Sequence, residues 1–372
     1  MKKKQALISL GSNLGDRLNH LLKALILLED KGINILQLSS LYETPSWGFD
    51  STPFFNACAL IQTRLTPDEL VALFLDIEKT MGRFRKENSG YRAREIDLDL
   101  LFYEQKQIDL PHLTVPHPRL HLRNFVLVPL NEIAPHWEHP TLHLTVAQLY
   151  AQSPDPDLPK KNPFSHWAPP LFRTFPFIAI EGNIGVGKTT FAKQLQALYM
   201  TSFLQETFAD NPYLKSFYTD PKKYALAVET AFFNARIEQN QVFWKTNKPP
   251  IVADYTLQKS LIFAAENLTP SDFTAFKARY KDQMGGIKQP DLVVYLHTSL
   301  EALQRQIKKR GRPFEQKIST RYLQQIEAGY RALKETELPF HVVSVGTENL
   351  DFLNEEQAFH KLLRQVFKAS FL

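Results

Sequence analysis

The chain has 372 residues, 44% of them hydrophobic and 22% charged, with a formal charge of +5. That size suits two domains, or three, each able to bury its own core, and the composition excludes a disordered or fibrous chain. The modest positive charge suits anionic small substrates such as nucleotides at least as well as nucleic acid. A single cysteine, Cys58, excludes an intrachain disulfide and fits a reducing compartment. No apolar run approaches a membrane span, and the stretch Ala6–Leu10 behind Met1-Lys-Lys-Lys is too short for a signal h-region. The expected location is the cytoplasm.

In chain order, Gln5–Leu10 reads as a first strand that ends at a Gly-Ser-Asn-Leu-Gly turn. Asp16 then starts a helix whose Leu18, Leu21, Leu22, Leu25 and Leu28 share one face, and Gly32 breaks it. Ile33 to Tyr42 and Phe54 to Thr63 read as strands. Thr66-Pro-Asp-Glu69 is a capping box with proline at the first helical position, so a helix runs on to about Met81. A strand follows from Ile96 to Tyr103. The set describes an α+β layer of one sheet and helices.

The chemistry of this half is concentrated between Arg83 and Asp99. Strand alternation puts Asp97 and Asp99 on one face, with Ile96, Leu98 and Leu100 on the other. Two carboxylates roughly 7 Å apart on one strand face repel. Divalent cations relieve that repulsion, and Mg2+ prefers one or two carboxylates plus phosphate oxygens. Arg83, Arg85, Arg92 and Arg94 supply counter-charge for a polyphosphate. Read alone, the two acids are also an ordinary polar outer face of an edge strand.

Gly11-Ser-Asn-Leu-Gly-Asp16, Tyr42-Glu-Thr44-Pro45, Phe55-Asn56, Glu78-x3-Gly82-Arg-Phe-Arg85, Arg94-Glu-Ile-Asp97-Leu-Asp99 and Val115-Pro-His117-Pro118 with Arg123-x-Phe125 stand in one order over residues 5 to about 150. Together they resemble 6-hydroxymethyl-7,8-dihydropterin pyrophosphokinase. The resemblance implies a ferredoxin-like fold and transfer of pyrophosphate from ATP to the pterin hydroxymethyl, with release of AMP. It implies that Asp97 and Asp99 hold two Mg2+, and that Arg83, Arg85, a mobile Arg94, His117 and Arg123 contact ATP. Thr44, Pro45, Phe54, Asn56 and Phe125 would form the pterin slot, where an aromatic pair sandwiches the flat ring. Many members carry Arg-Trp-Gly-Pro before the arginine of the Asp-Leu-Asp motif; here Asn88-Ser-Gly-Tyr91-Arg92-Ala stands instead. His117, taken alone, fits a structural role as well as a phosphate contact.

The proline-dense stretch Ser153–Phe175 reads as an extended, semi-stiff linker. Trp167, Phe172 and Phe175 are apolar anchors that pin part of it to a domain. The expected division is therefore residues 1–152, a linker at 153–175, and residues 176–372.

Phe177-Ile-Ala-Ile-Glu181 is an apolar run, followed by Gly182-Asn183-Ile-Gly185-Val-Gly187-Lys188-Thr189-Thr190 and then by helical spacing. A strand, a Gly-x4-Gly-Lys-Thr loop and a helix make a phosphate-binding P-loop. Its amides and helix N-terminus face the phosphates of ATP, Lys188 reaches the β/γ-phosphates and Thr189 puts a hydroxyl on Mg2+. Strands at Phe203–Glu206, the first of them ending in a carboxylate, Pro250–Asp254, Asp291–His297 and His341–Val345 alternate with helices, among them a long one from Tyr224 to Trp244 carrying Glu229 and Arg236. That alternation means an α/β parallel sheet.

The P-loop together with Glu206, Asn211-Pro-Tyr213, Tyr218, Asp220-Pro, Asp254, Pro290-Asp291 and Arg310-x-Arg312-x2-Glu315 resembles the deoxynucleoside kinases, the purine-type bacterial ones most closely. The resemblance implies that Glu206 is the general base, that Arg310 and Arg312 belong to a lid over the transferring phosphoryl, and that Tyr218 and Glu315 hold the sugar 3′-hydroxyl. Asp254 and Glu229 would face the deoxynucleoside, and a homodimer through this domain is implied. Two departures stand out. The family's Asp/Glu-Arg-Ser is Asp254-Tyr255-Thr256 here, and Glu229 replaces a glutamine that reads the base edge. A carboxylate only accepts, which favours a purine with an N–H donor there. From the residues alone, Glu206 is also a helix cap, the two arginines a solvated face, and Glu229 the partner of a surface lysine or arginine. The whole chain reads as a bifunctional ATP- and Mg2+-dependent enzyme with no nucleic-acid or membrane partner. A kinase with an inactive N-terminal assembly module, and a P-loop nucleotide switch, are the alternatives.

Overall fold

The computed structural model describes residues 3–45, 51–83, 93–162, 167–207, 211–313, 315–316 and 318–371. The chain divides into two compact units, Met1–Pro169 and Pro170–Leu372.

In the first unit, β1 (Lys4–Ser12), α1 (Arg17–Asp30), β2 (Asn34–Leu38), β3 (Tyr42–Thr44), β4 (Phe54–Thr63), α2 (Pro67–Thr80) and β5 (Asp97–Tyr103) follow one another. The hairpin β6 (Ile108–Leu110) and β7 (Leu113–Val115) leads to α3 (Asn124–Ile133), α4 (Val146–Ala151) and β8 (Lys160–Lys161). The sheet runs β5-β1-β4-β3-β8 with β2 also on β4, and every pairing is antiparallel. Apolar Ala6, Leu7, Ile8 and Leu10 are buried on both faces of β1 because it is central. Asp16 caps α1 by accepting from the Asn19 amide, and α2 carries the complete capping box of Thr66 and Glu69. Leu7, Cys58, Leu101 and Phe102 meet Leu127, Leu130, Val146 and Leu149 of α3 and α4 in one core.

The single strand expected over Ile33–Tyr42 is two strands, and the reason is local. The backbone at 39–40 is drawn to side chains: the Trp167 indole donates to the Ser39 carbonyl (2.8 Å), and the Ser40 amide and hydroxyl donate to Glu132 (2.8 and 2.7 Å). The proline-dense stretch is also tied down. Asn124 donates to the carbonyls of Asp155 and Asp157, β8 pairs with β3, and Trp167 is buried, so the chain clings to the first unit as far as Trp167.

The second unit holds α5 (Leu171–Thr174), β9 (Phe177–Gly182), α6 (Lys188–Tyr199), β10 (Ser202–Leu204), α7 (Leu214–Thr219), α8 (Pro221–Thr246), β11 (Ile251–Ala253), α9 (Lys259–Asn267) and α10 (Pro270–Gln283). β12 (Leu292–His297), α11 (Leu300–Arg310), α12 (Thr320–Lys334), β13 (His341–Gly346) and α13 (Glu356–Phe371) complete it. Its sheet is β10-β11-β9-β12-β13, wholly parallel. All six residues of β9 are buried, which is why its sequence is a continuous apolar run. Phe172 packs edge-on to Tyr199 and Phe175 tilts on Phe371, fastening α5 to this unit.

Two glycines of the loop behind β9 have no substitute. Gly182 has φ +144, and a Cβ there would collide with the Leu296 carbonyl of the neighbouring strand. At Gly187, φ +99, a Cβ would sit 2.6 Å from the Phe352 ring. Both positions combine a positive φ with a close approach that only glycine allows.

Candidate active sites

The first unit opens a cleft of about 630 Å³ above β1 and β5. Its walls include Thr44, Pro45, Phe54, Asn56 and Phe125 together with Arg94, Asp97, Asp99 and Arg123, and Arg94 and Arg123 stand over the Phe54 and Phe125 rings at 5.8 and 5.5 Å. Nine residues from four separate motifs thus meet in one place. Asn56 donates to the Thr44 hydroxyl at 2.6 Å, both side chains being buried, which gives the slot a fixed polar end between Phe54 and Phe125.

Asp97 is gripped by two arginines. Arg94 Nη1 donates to it at 2.6 Å, and Arg83 bridges it to Glu78, itself 2% exposed and 2.6 Å from the same guanidinium. Burial pushes the Asp97 carboxyl up, but Arg94 and Arg83 overcome this and hold it below the usual range. Asp99 goes the other way: burial, then the charges of Asp97 and Glu78, push it up to about 7. Two carboxylates side by side with a cleft in front offer oxygen donors of the kind a hard divalent cation takes. Among the described residues no group of three or more His, Cys, Asp or Glu forms a metal cage, so these two carboxylates would need phosphate oxygens or water to complete a coordination shell.

Arg83 does not line the cleft directly; it lies between Glu78 and Asp97 and orients the latter. His117 stands behind the same wall, near Arg123 and Asp97, with Nδ1 accepting from the Arg119 amide at 3.2 Å. Burial, with Arg123 and Arg119, lowers its pKa to about 4, so the imidazole is neutral at pH 7. Arg85, Tyr91 and Arg92 lie outside the described residues. Glu78 was missed as a site residue; its signal was its place one helical turn before the glycine that precedes Arg83.

The second unit's cleft, about 960 Å³, lies beyond the P-loop. Gly185, Lys188, Thr189, Glu206, Tyr218, Glu229, Asp254, Arg310, Arg312 and Glu315 all border it, as do Phe232, Arg236, Lys259, Phe263 and Tyr322. Lys188 folds back on the loop, donating to the carbonyls of Gly182 (2.8 Å) and Asn183 (3.0 Å). Burial and then Lys259 lower its pKa to about 8. Thr189 donates to Asp254 at 2.6 Å, and Asp254 also accepts from the Glu206 amide at 2.7 Å. The Thr189 hydroxyl and the Asp254 carboxylate are the oxygen donors here that a hard cation could take. Asn183 does not face the cleft: its amide ties the loop to Leu323 of α12 at 2.8 Å. Thr190 continues α6 behind the loop.

Glu206 is clamped. Arg236 donates to Oε1 through Nε (2.9 Å) and Nη2 (2.6 Å), and Lys259 reaches Oε2 at 2.6 Å. Burial alone would raise its pKa, yet Lys259 and Arg236 hold it far below the usual carboxylate range. It is therefore no helix cap, and it stays ionised. Glu229 is no surface ion pair either. It is 3% exposed, Oε1 accepts from Asn267 at 2.7 Å, and Oε2 has no hydrogen-bond partner among the described residues. Arg310 and Arg312 both pair with the buried Glu315, the latter at 3.2 Å. Burial and then Glu315 push the Tyr218 hydroxyl up to about 12, so it is a neutral donor at the cleft. Lys259 and Arg236 were not assigned from the sequence, although Arg236 lies two helical turns beyond Glu229 on the same face.

Residues 178–371 match the family described as deoxynucleoside kinase, and residues 7–135 match 7,8-dihydro-6-hydroxymethylpterin-pyrophosphokinase. A deoxyguanosine kinase of Bacillus subtilis is 35% identical over 52% of this chain and 97% of its own length. A 2-amino-4-hydroxy-6-hydroxymethyldihydropteridine pyrophosphokinase of Porphyromonas gingivalis is 42% identical over 36% of this chain and 92% of its own length. A folic acid synthesis protein of Pneumocystis carinii is 40% identical over 42% of this chain, which spans 21% of that longer protein. With each match falling on its own compact unit, the chain belongs to the dihydropterin pyrophosphokinase family through its N-terminal part and to the deoxynucleoside kinase family through its C-terminal part.

Proposed function

We propose that the chain is a bifunctional ATP-dependent transferase. Its first unit moves pyrophosphate from ATP to the hydroxymethyl of 6-hydroxymethyl-7,8-dihydropterin, and its second phosphorylates the 5′-hydroxyl of purine deoxynucleosides. The observation that carries this reading is that each unit has its own cleft lined by cations, carboxylates and aromatic rings together. The first unit's order β1-α1-β2-β4-α2-β5, with β5, β1, β4 and β2 adjacent and antiparallel, supports a ferredoxin-like split βαβ arrangement.

In the first cleft the pterin lies between Phe54 and Phe125, with the Thr44–Asn56 pair at its polar edge. Arg94 and Arg123 meet the polyphosphate, and Arg83 keeps Asp97 in place through Glu78. In the second, the P-loop amides and Lys188 hold the ATP phosphates, while Arg310 and Arg312 approach the transferring group from the lid. Glu206 orients the 5′-hydroxyl and accepts its proton late, as a loose phosphoryl transition state requires of a weak base. Asp97 and Asp99 in one site and Thr189 in the other would hold Mg2+, which when bound neutralises charge developing on the phosphate oxygens.

Purine preference rests on Glu229. Its bare Oε2 accepts from a base N–H, and the guanine edge offers N1–H and N2–H2 together. Thymine offers a single N3–H flanked by two carbonyls, which an ionised carboxylate meets less well than the paired donors of guanine. The deoxyguanosine kinase at 35% identity is in keeping with this choice. Two assays test the reading: AMP release from ATP with 6-hydroxymethyl-7,8-dihydropterin, and phosphorylation of dG, dA, dC and dT in one panel. Purine phosphorylation with dihydropterin-dependent AMP release is expected; absence of either removes that half of the proposal.

A further inference from the structure

The position after Asp254, where the resembled kinases carry an arginine, holds Tyr255, and its side chain cannot serve the cleft. It is 2% exposed and packs among Phe233, Phe276, Tyr280 and Val293. Another cation occupies the space. Lys259, the first residue of α9, turns its side chain into the cleft, with Nζ 2.6 Å from Glu206 Oε2 and 5.6 Å from the Phe263 ring centre. Glu206 thus lies between two cations, Arg236 on Oε1 and Lys259 on Oε2. Lys259 also faces the P-loop, where it is the cation that most strongly opposes Lys188. Asp254, the other acid at this corner, is committed to Thr189 and to the Glu206 amide.

We propose that Lys259 is a catalytic residue of phosphoryl transfer, its ammonium holding Glu206 toward the 5′-hydroxyl and contacting the incoming phosphoryl oxygens beside Lys188. The role that the family gives to an arginine on the loop after β11 is thereby moved four residues on, to the first turn of α9. The role asks for a positive charge that reaches a carboxylate and a phosphate from one side, which the lysine ammonium supplies and an arginine at the same place would retain. The inference rests on the second unit being a deoxynucleoside kinase.

The test compares full-length wild type, Lys259→Met and Lys259→Arg for ATP-dependent phosphorylation of deoxyguanosine, with kcat, KM and thermal midpoint measured for each. Lys259→Met should lower kcat by about 10²–10³-fold, the loss typical of removing one preorganised donor, with KM for the deoxynucleoside little changed. Lys259→Arg should keep most of the turnover. Wild-type kcat in Lys259→Met, or an equal loss in both variants, overturns the proposal. If the methionine variant melts early, the arginine variant decides alone: near-wild-type turnover supports the role and a loss as deep as methionine's contradicts it. An inactive wild-type chain tells against the kinase reading itself, a result distinct from either outcome for Lys259.

Discussion

Glu229 borders the second cleft, with one oxygen bonded to Asn267 and the other buried without a hydrogen-bond partner among the described residues. Burial pushes its pKa to about 7 against the pull of Asn267. Ionised, it accepts from guanine N1–H and N2–H2 together; protonated, it loses that paired acceptor. The ratio of kcat/KM for dG over dA should therefore rise as pH increases through about 7. Glu229→Gln should flatten that rise and shift the ratio by about 1–3 kcal/mol. An unchanged ratio and profile would mean that the carboxylate does not read the base. Stability gives a second readout. Because the folded pKa lies above the ordinary carboxylate value, the unfolded chain binds fewer protons between about pH 4.5 and 7, so stability falls as pH climbs through that window. The thermal midpoint of Glu229→Gln should lose less over that window than the wild type's does, and equal slopes would contradict the buried, protonated state.

The P-loop element shows the same link between backbone and chemistry. β9 is buried on both faces, so its end is fixed, and the loop leaves it through Gly182 at φ +144 against the Leu296 carbonyl. Gly182→Ala should destabilise the second unit by roughly 1–3 kcal/mol or more, since a strained φ and a backbone clash add; differential scanning calorimetry of the full chain would show one transition lowered. Two lowered transitions would contradict the local account. The elements were largely legible. β4 runs over Phe54–Thr63 and α2 starts at its capping box, because alternation, apolar runs and caps are local signals. What was not legible came from afar: the break after β2 depends on Glu132 and Trp167, and the place of Arg83 depends on Glu78 from α2 and Asp97 from β5. Lys259 left only the faint signal of a cation near the tyrosine that displaced an arginine. The cleft walls Asp97, Asp99, Lys188 and Thr189 were legible because their spacing is itself the chemistry.

At the scale of the whole molecule, each unit buries its own core and carries its own cleft, and the apolar clusters around Leu7 and around Phe233 share no residue. No helix among the described residues is long and apolar enough to cross a membrane. Two clefts with separate carboxylate, cation and phosphate-binding groups make two independent catalysts on one polypeptide. The most direct measurement assays both reactions side by side in Asp97→Ala and Lys188→Ala. Asp97→Ala should abolish dihydropterin-dependent AMP release and leave deoxynucleoside phosphorylation at the wild-type rate. Lys188→Ala should do the reverse, cutting deoxynucleoside kcat by at least about 10²-fold through loss of a positioned charge. Loss of both activities from either single substitution, or full activity in both reactions for either variant, would contradict the account.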